Sequence, residues 1–256
     1  MELTDKSILV PVDFTEKSEF AFQHALQMSK FFDKNISLLH IINKDKEKPA
    51  ALERLTEFEK KMREKYGVES YTLVKKGNIF KILKSSAIEI NALIIVMGLH
   101  NAKRASKVII GSRIPFYLVQ VPPVNDKIKD IVVPFDYNEK NRVQLNWVVI
   151  LSKYFNCNIN IIKPFIGNNF RNKKMKINMN FVRHIIDNKN IIYGIRTAKR
   201  EAKFNEAIYE FANEINADSI FIMSYHFKKF VLKGNSFGFK TPIFCINPQI
   251  MLPGKF

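Results

Sequence analysis

The chain has 256 residues, of which 46% are hydrophobic and 25% charged, so it is typical of a globular protein and not of a disordered or low-complexity one. Its formal net charge is 41 − 24 = +17, which is compatible with nucleic acid or acidic partners and equally with the compositional drift of an AT-rich genome. The longest apolar run, near Ala92–Leu99, is far shorter than the roughly 20 residues that span a bilayer, and Met1–Lys6 has no signal-peptide core. We therefore predict a cytoplasmic protein with no membrane partner.

The first half of the chain alternates apolar runs typical of buried strands with amphipathic segments typical of helices. Thr15 is placed to cap the first helix, and Gly67 is placed to end the second. Strict alternation predicts a parallel sheet with right-handed crossovers and helices on both faces. The predicted strands are Ser7–Val12, Ile36–Ile42, Glu69–Val74, Ala92–Met97 and Phe116–Val121, and the predicted helices are 15–32, 47–66, 79–90 and 103–110.

The second half repeats the first at an offset of 123 residues. Residues 8–36 and 131–159 share 11 of 29 positions without a gap, among them Asp13 with Asp136. Further matches follow with small shifts, including His100 with His226. We predict two tandem doubly wound domains, 1–125 and 126–256, each with a five-stranded parallel sheet. The strands of the second domain are expected near 129–135, 158–164, 190–196, 218–224 and 243–247.

Two residues mark the expected ligand edge of the first sheet. Asp13 directly follows the first strand and Gly98 directly follows the fourth, and in a doubly wound sheet ligands bind beyond the carboxyl ends of the strands where the strand order reverses. A carboxylate there accepts hydrogen bonds from ribose hydroxyls, and a glycine lets a ligand approach the backbone. The competing interpretation is that Asp13 only caps the following helix.

At these segments the chain resembles the universal stress protein family. The resemblance lies in ILVPVDFTEKSEFAFQHALQMSKFF, ISLLHII, ALIIVMGLHN and PFYLVQVP, and it extends over both halves as a tandem pair. It implies a Rossmann-like fold of the adenine nucleotide alpha hydrolase type, stress regulation, an ATP or AMP ligand in many members, and pairing of domains, here within one chain, with a further homodimer possible. The residues it assigns to the nucleotide are Pro11, Asp13, Ile41, Met97, Gly98 and His100.

The phosphate motif of the family allows two alignments. ATP-binding members have G-x-x-G, nine residues and then G-S or G-T, and the spacing from Gly98–Asn101 to Gly111-Ser112 matches with Asn101 in place of the second glycine. However, only two residues then separate Ser112 from Pro115, which leaves no room for the last helix. The alternative places that helix before Gly111, so the phosphate loop is about ten residues short. Lys103, Arg104 and Lys107 then remain as flexible cations or as a solvated helix face.

The second half departs further from the family pattern. Ser224-Tyr-His-Phe227 replaces the segment at Gly98, and the stretch to Pro242 is equally short. A basic stretch runs from Arg171 through Arg183 to Lys203, with helix or strand left open near Met175–Phe181; it is either a solvated face or a surface for nucleic acid or an acidic protein. Cys157 and Cys245 are predicted to be buried thiols.

We expect a stress-response regulator that acts by binding, with a degenerate ATP site that is weak or lost. One alternative is an ATP or AMP sensor that works through the first domain, and a second is a basic scaffold for nucleic acid or an acidic protein. Catalysis and metal binding are not indicated, because no nucleophile with a base and no metal-ligand spacing is found.

Overall fold

The structure, a computed structural model, describes residues 6–187, 189, 191–199, 203–234 and 240–249. These residues divide into two compact units, one containing the described residues up to Asp126 together with Gln249, and the other formed by Lys127–Pro248. The sequence placed the boundary between Asn125 and Asp126. The predicted second domain includes Gln249, which groups with the first unit in the structure.

The first unit alternates strands and helices in the order that the hydrophobic pattern predicts. Its elements are β1 (Ser7–Pro11), α1 (Glu16–Phe32), β2 (Asn35–Ile42), α2 (Lys48–Tyr66), β3 (Ser70–Lys76), α3 (Ile79–Glu89), β4 (Ala92–Gly98), α4 (Ala102–Ile109) and β5 (Phe116–Val119). The strands lie in the order β3-β2-β1-β4-β5, and every neighbouring pair is parallel. The order reverses between β1 and β4, which is where a doubly wound sheet opens a ligand crevice.

Burial shows why β1 and β4 hold the centre of this sheet. Successive strand residues point to opposite faces, and yet Ser7–Val10 and Ala92–Val96 are buried at every position. Both faces of the sheet are therefore covered by helices, as the continuous apolar runs predict. The doubly wound α/β fold expected from the sequence is confirmed.

Gly67 ends its helix as expected, whereas Thr15 does not cap its helix. Gly67 ends α2 with φ at 70°, a left-handed conformation that glycine adopts readily. Thr15 holds the N-cap position of α1, but its side chain does not cap the helix. Its hydroxyl donates instead to Asp13 Oδ1.

The second unit has the same order of elements. They are β6 (Asp130–Pro134), α5 (Arg142–Phe155), β7 (Asn158–Lys163), α6 (Asn169–Asp187), β8 (Tyr193–Thr197), α7 (Phe204–Glu214), β9 (Ser219–Met223), α8 (Ser224–Gly234) and β10 (Ile243–Ile246). Its strands follow the order β10-β9-β6-β7-β8, again with parallel neighbours. The segment near Met175–Phe181, left open by the sequence, is helical.

Parts of four predictions lie outside the described residues. They are residues 1–5 of the first domain, the first residue of the strand expected at 190–196, residues 188, 190 and 200–202 of the basic stretch, and, with these, residues 235–239 and 250–256 of the second domain. Within the described part of the chain, no helix is long and apolar enough to cross a membrane, and no cluster of acidic, histidine and cysteine side chains is suited to a metal ion.

Candidate functional site

A cleft of about 490 Å³ lies at the carboxyl edge of the first unit's sheet. The six residues that the resemblance assigns to a nucleotide all line this cleft: Pro11, Asp13, Ile41, Met97, Gly98 and His100. They come from the ends of β1, β2 and β4 and from the loops after β1 and β4. The fold thus brings together residues that are up to 89 positions apart in the sequence, because the carboxyl ends of parallel strands lie at the same edge of the sheet.

Asp13 is held by its own turn. Its Oδ1 accepts hydrogen bonds from the Thr15 hydroxyl at 2.6 Å, the Thr15 amide at 3.2 Å and the Ser18 hydroxyl at 2.6 Å. The Asp13 amide in turn donates to Ser18 Oγ at 2.9 Å. These bonds fix the carboxylate through Oδ1 and do not involve Oδ2.

His100 faces that second oxygen. Its Nε2 lies 3.1 Å from Asp13 Oδ2 and 3.2 Å from Thr15 Oγ1. The Thr15 hydroxyl donates its hydrogen to Asp13, so Thr15 Oγ1 and Asp13 Oδ2 both face Nε2 as acceptors. The imidazole tautomer that satisfies both has its hydrogen on Nε2. The Asp13 side chain nevertheless remains 54% exposed, so Oδ2 has room to accept a ligand hydroxyl.

The electrostatics keep Asp13 ionised. Partial burial by itself would raise the pKa of this carboxyl, but the hydrogen bonds from Ser18 and Thr15 and the nearby His100 outweigh it, so the pKa is lowered. A carboxylate that accepts hydrogen bonds in its charged form is a stable acceptor at neutral pH.

Gly98 lines the cleft, and close packing against α1 also requires a glycine at this position. A Cβ built on it would lie 2.7 Å from Lys17 Cβ and 2.8 Å from the Lys17 carbonyl oxygen. Helix α1 therefore crosses β4 at a distance that only glycine permits. The Lys17 ammonium also donates to the Leu99 carbonyl at 2.7 Å, which fastens the loop after β4 to α1. The predicted role of Gly98 in ligand approach stays a prediction.

Gly111 and Ser112 lie away from the cleft. They follow the C-terminal end of α4, where Gly111 has φ at 75°. Ser112 is buried, and its hydroxyl donates to the Ile114 carbonyl oxygen at 2.8 Å and accepts from the Ile114 amide at 3.1 Å. Helix α4 begins at Ala102, and Asn101 caps it by accepting from the Arg104 amide at 3.1 Å.

Sequence reasoning missed part of the cleft wall. Ile79 and Phe80, at the first turn of α3, line it together with Val108. Of the three cations expected near the phosphates, Arg104 alone lines the cleft among the described residues, while the Lys107 ammonium lies 5.9 Å from the Phe80 ring centroid. The predicted start of α3 at Ile79 was the available signal, since a helix following β3 begins at the same edge.

Phe14 was also missed. It has φ at 62°, a left-handed conformation that is unusual for a bulky residue. Its ring centroid lies 4.5 Å from that of His40, and the Arg54 guanidinium lies 4.2 Å from the Phe14 centroid. His40 in turn holds the backbone after β1, with Nδ1 2.7 Å from the Val12 carbonyl oxygen. No sequence pattern signals the turn at Phe14.

The second unit repeats the aspartate turn without the cleft. Asp136 Oδ1 accepts from the Asn138 amide at 2.7 Å and from Asn141 Nδ2 at 2.6 Å, and Oδ2 lies 3.3 Å from His226 Nε2. The Asp136 side chain is only 18% exposed, and the pocket beside it measures about 40 Å³. Helix α8 starts at Ser224, directly after β9, and its Phe227 is fully buried.

Comparison with known proteins agrees with this architecture. The sequence model of the universal stress protein family matches residues 5–114. A universal stress protein from Archaeoglobus fulgidus superposes with a TM-score of 0.73 at 19% identity, covering 95% of this chain and 97% of its own. A functionally unknown protein from Pseudomonas aeruginosa gives 0.67 at 13% identity, covering 95% and 93%.

These structural identities establish a shared fold, and no curated protein matches the chain significantly. The family match lies on the first unit, which carries the cleft. Residues 5–114 therefore carry a universal stress protein domain.

Proposed function

We propose that the chain is a stress-response regulator that acts by binding, and that the first unit's cleft binds the nucleoside end of ATP or AMP without a clamp for the triphosphate. The observation that carries this proposal is the convergence of Asp13, Met97, Gly98 and His100 on one cleft at the point where the strand order reverses.

The cleft offers the two kinds of contact that a nucleoside requires. Ile41, Met97 and Phe80 provide an apolar wall for a flat base. Oδ2 of the partly exposed Asp13 side chain provides an acceptor for a ribose hydroxyl. The hydrogen bonds of the turn to Oδ1 hold the carboxylate in place. The aspartate turn alone does not indicate a ligand, because Asp136 has a similar turn beside a pocket too small for a nucleoside.

The phosphates have much weaker support. A phosphate site needs consecutive backbone N–H groups at a glycine-rich loop or a helix N-terminus. Gly111-Ser112 lies beyond the other end of α4, and the Asn101 side chain already occupies the Arg104 amide at the start of that helix. Among the described residues that line the cleft, the donor with a full charge is the Arg104 guanidinium. We propose that it holds one phosphate and not three.

We further propose that the protein acts in the cytoplasm. Cys157 and Cys245 are both free and buried, and burial raises the pKa of the Cys157 thiol to about 12. Such thiols are unreactive packing groups that suit a reducing compartment.

Calorimetric titration of the nucleotide-stripped full chain with AMP tests the proposal. It predicts one site per chain, because Asp13 lies beside a cleft of about 490 Å³ whereas the pocket beside Asp136 measures about 40 Å³. Two equivalent sites, or none, would contradict it.

A further inference from the structure

Helix α6 of the second unit presents an outward face that the nucleotide proposal does not use. Its inner face is buried through Met175, Met179, Val182 and Ile186. The opposite face is exposed over the length of the helix. We call this surface the α6 face; it consists of Phe170, Lys173, Lys174, Lys176, Ile177 and Phe181.

The α6 face is strongly basic. No aspartate or glutamate occurs between Glu139 and Asp187, whereas α6 carries Arg171, Lys173, Lys174, Lys176 and Arg183. Within the described part of the chain, Lys173, Lys174 and Lys176 have no carboxylate within ion-pair distance. Their charges are therefore not compensated within the described part of the chain.

An apolar stripe runs along the same face. Phe170 is 68% exposed, Ile177 52% and Phe181 36%. Their spacing of seven and four residues places them on one side of a helix. Lys174 fills the gap between Phe170 and Ile177, with its ammonium 4.8 Å from the Phe170 ring centroid. The stripe is one side chain wide.

The corresponding helix of the first unit lacks both features. Helix α2 also lies between the second and third strands of its unit, but it contains four glutamates, Glu53, Glu57, Glu59 and Glu64. Two of its lysines face carboxylates, Lys60 with Glu64 and Lys61 with Glu19. Leu52 is its one exposed large apolar residue along the described helix. The basic apolar face is thus specific to the second unit and not a property of the fold.

We infer that the α6 face docks an acidic amphipathic helix of a partner protein. A narrow stripe with helical spacing matches the apolar edge of another helix, and the lysines within and beside the stripe match carboxylates that flank such an edge. A helix that inserts into a membrane surface presents a broader apolar face. Nucleic acid leaves exposed Ile177 without a partner, since an aliphatic side chain neither stacks on bases nor contacts phosphates.

The test uses a synthetic peptide of about 20 residues with leucines at helical spacing and glutamates on both flanks. The control peptide has the same composition in shuffled order. Titration is followed by anisotropy with the full chain and with three variants. Lys173→Glu/Lys176→Glu reverses charge on the α6 face, Ile177→Ser removes the centre of the stripe, and Lys48→Glu/Lys60→Glu makes the same charge change on α2.

We expect one patterned peptide to bind per chain. Its affinity falls by about tenfold or more in each α6 variant and is unchanged in the α2 variant. All substituted positions are exposed, and circular dichroism checks that each variant folds. Equal binding of the shuffled peptide would overturn the inference, because it reports charge alone. So would binding only to phosphatidylserine vesicles, binding only to a single-stranded oligonucleotide, or no binding to any probe.

Discussion

Asp13 and His100 form a close pair, with 3.1 Å between Oδ2 and Nε2, although 86 residues of chain separate them. Asp136 and His226 form the same pair in the second unit at 3.3 Å. In both units Oδ1 is occupied by donors from the turn that follows the aspartate. The pair is therefore an architectural feature of the strand end, and the volume beside it, about 490 Å³ at Asp13 against about 40 Å³ at Asp136, separates a pair with room for a nucleoside from one without.

The first prediction concerns the two aspartates. Asp13→Asn keeps a carbonyl acceptor for the turn but replaces Oδ2 with an amide donor, which faces the His100 N–H and any ribose hydroxyl. We expect AMP affinity to fall about tenfold, since hydrogen bonds to charged groups contribute about 1.5–3 kcal/mol. Calorimetric titration measures the loss. The matched Asp136→Asn change has no effect on AMP binding, and equal losses in both variants would place the nucleotide elsewhere.

The second prediction concerns the phosphate. Arg104→Gln removes the cation that lines the cleft, so AMP binding weakens by about three- to tenfold while adenosine binding is unchanged. Lys103→Gln changes the same charge on the same helix at a side chain that does not line the cleft. It serves as the control and leaves both affinities as they were. A parallel loss of adenosine and AMP affinity in Arg104→Gln would show that Arg104 shapes the cleft and does not bind phosphate.

The third prediction concerns Gly98. Alanine at this position places a Cβ within 2.8 Å of two Lys17 atoms, so α1 has to move away from β4. We expect Gly98→Ala to lower the free energy of unfolding by about 1–3 kcal/mol, the usual cost of overpacking. Gly194→Ala on β8 meets no atom within 4 Å and leaves stability unchanged or slightly higher. Urea unfolding compares the two, and a fully stable Gly98→Ala protein would refute close packing of α1 on β4.

The fourth prediction concerns His24, which is buried in α1. Burial lowers the pKa of this imidazole to about 4 although its Nε2 lies 3.1 Å from the Val121 carbonyl oxygen. The unfolded chain takes up the proton below about 6.5, whereas the folded protein resists it until about 4. Stability is therefore complete above pH 6.5 and is lost as the pH falls towards 4, by up to about 2 kcal/mol between pH 6.5 and 5.

Urea unfolding at several pH values measures this slope. His24→Gln retains a donor for Val121 and removes the titration, so we expect a flatter pH dependence between 6.5 and 5. The exposed His184→Gln is the control and keeps the wild-type slope. An unchanged slope in His24→Gln would assign the acid sensitivity to other groups.

The order of strands and helices along the chain and the residues at the strand ends were predictable because they depend on local pattern. The apolar runs place Asp13 and Gly98 at strand ends, and parallel strands bring those ends to one edge. By contrast, the start of α3 at Ile79 was predictable, but which side chains of α3 and α4 line the cleft, here Phe80 and Arg104, depends on helix orientation, which hydrophobic periodicity does not fix closely. Gly98 illustrates a second limit, because the Lys17 contact that requires a glycine joins segments 81 residues apart.

The most direct test of the account is a calorimetric series with adenosine, AMP and ATP on the nucleotide-stripped full chain, with and without Mg²⁺. The account predicts one site per chain, AMP bound a few-fold more tightly than adenosine, and ATP no more than about tenfold more tightly than AMP. ATP binding that is hundreds of times tighter than adenosine binding would contradict it, because a complete triphosphate site would then exist in the first unit.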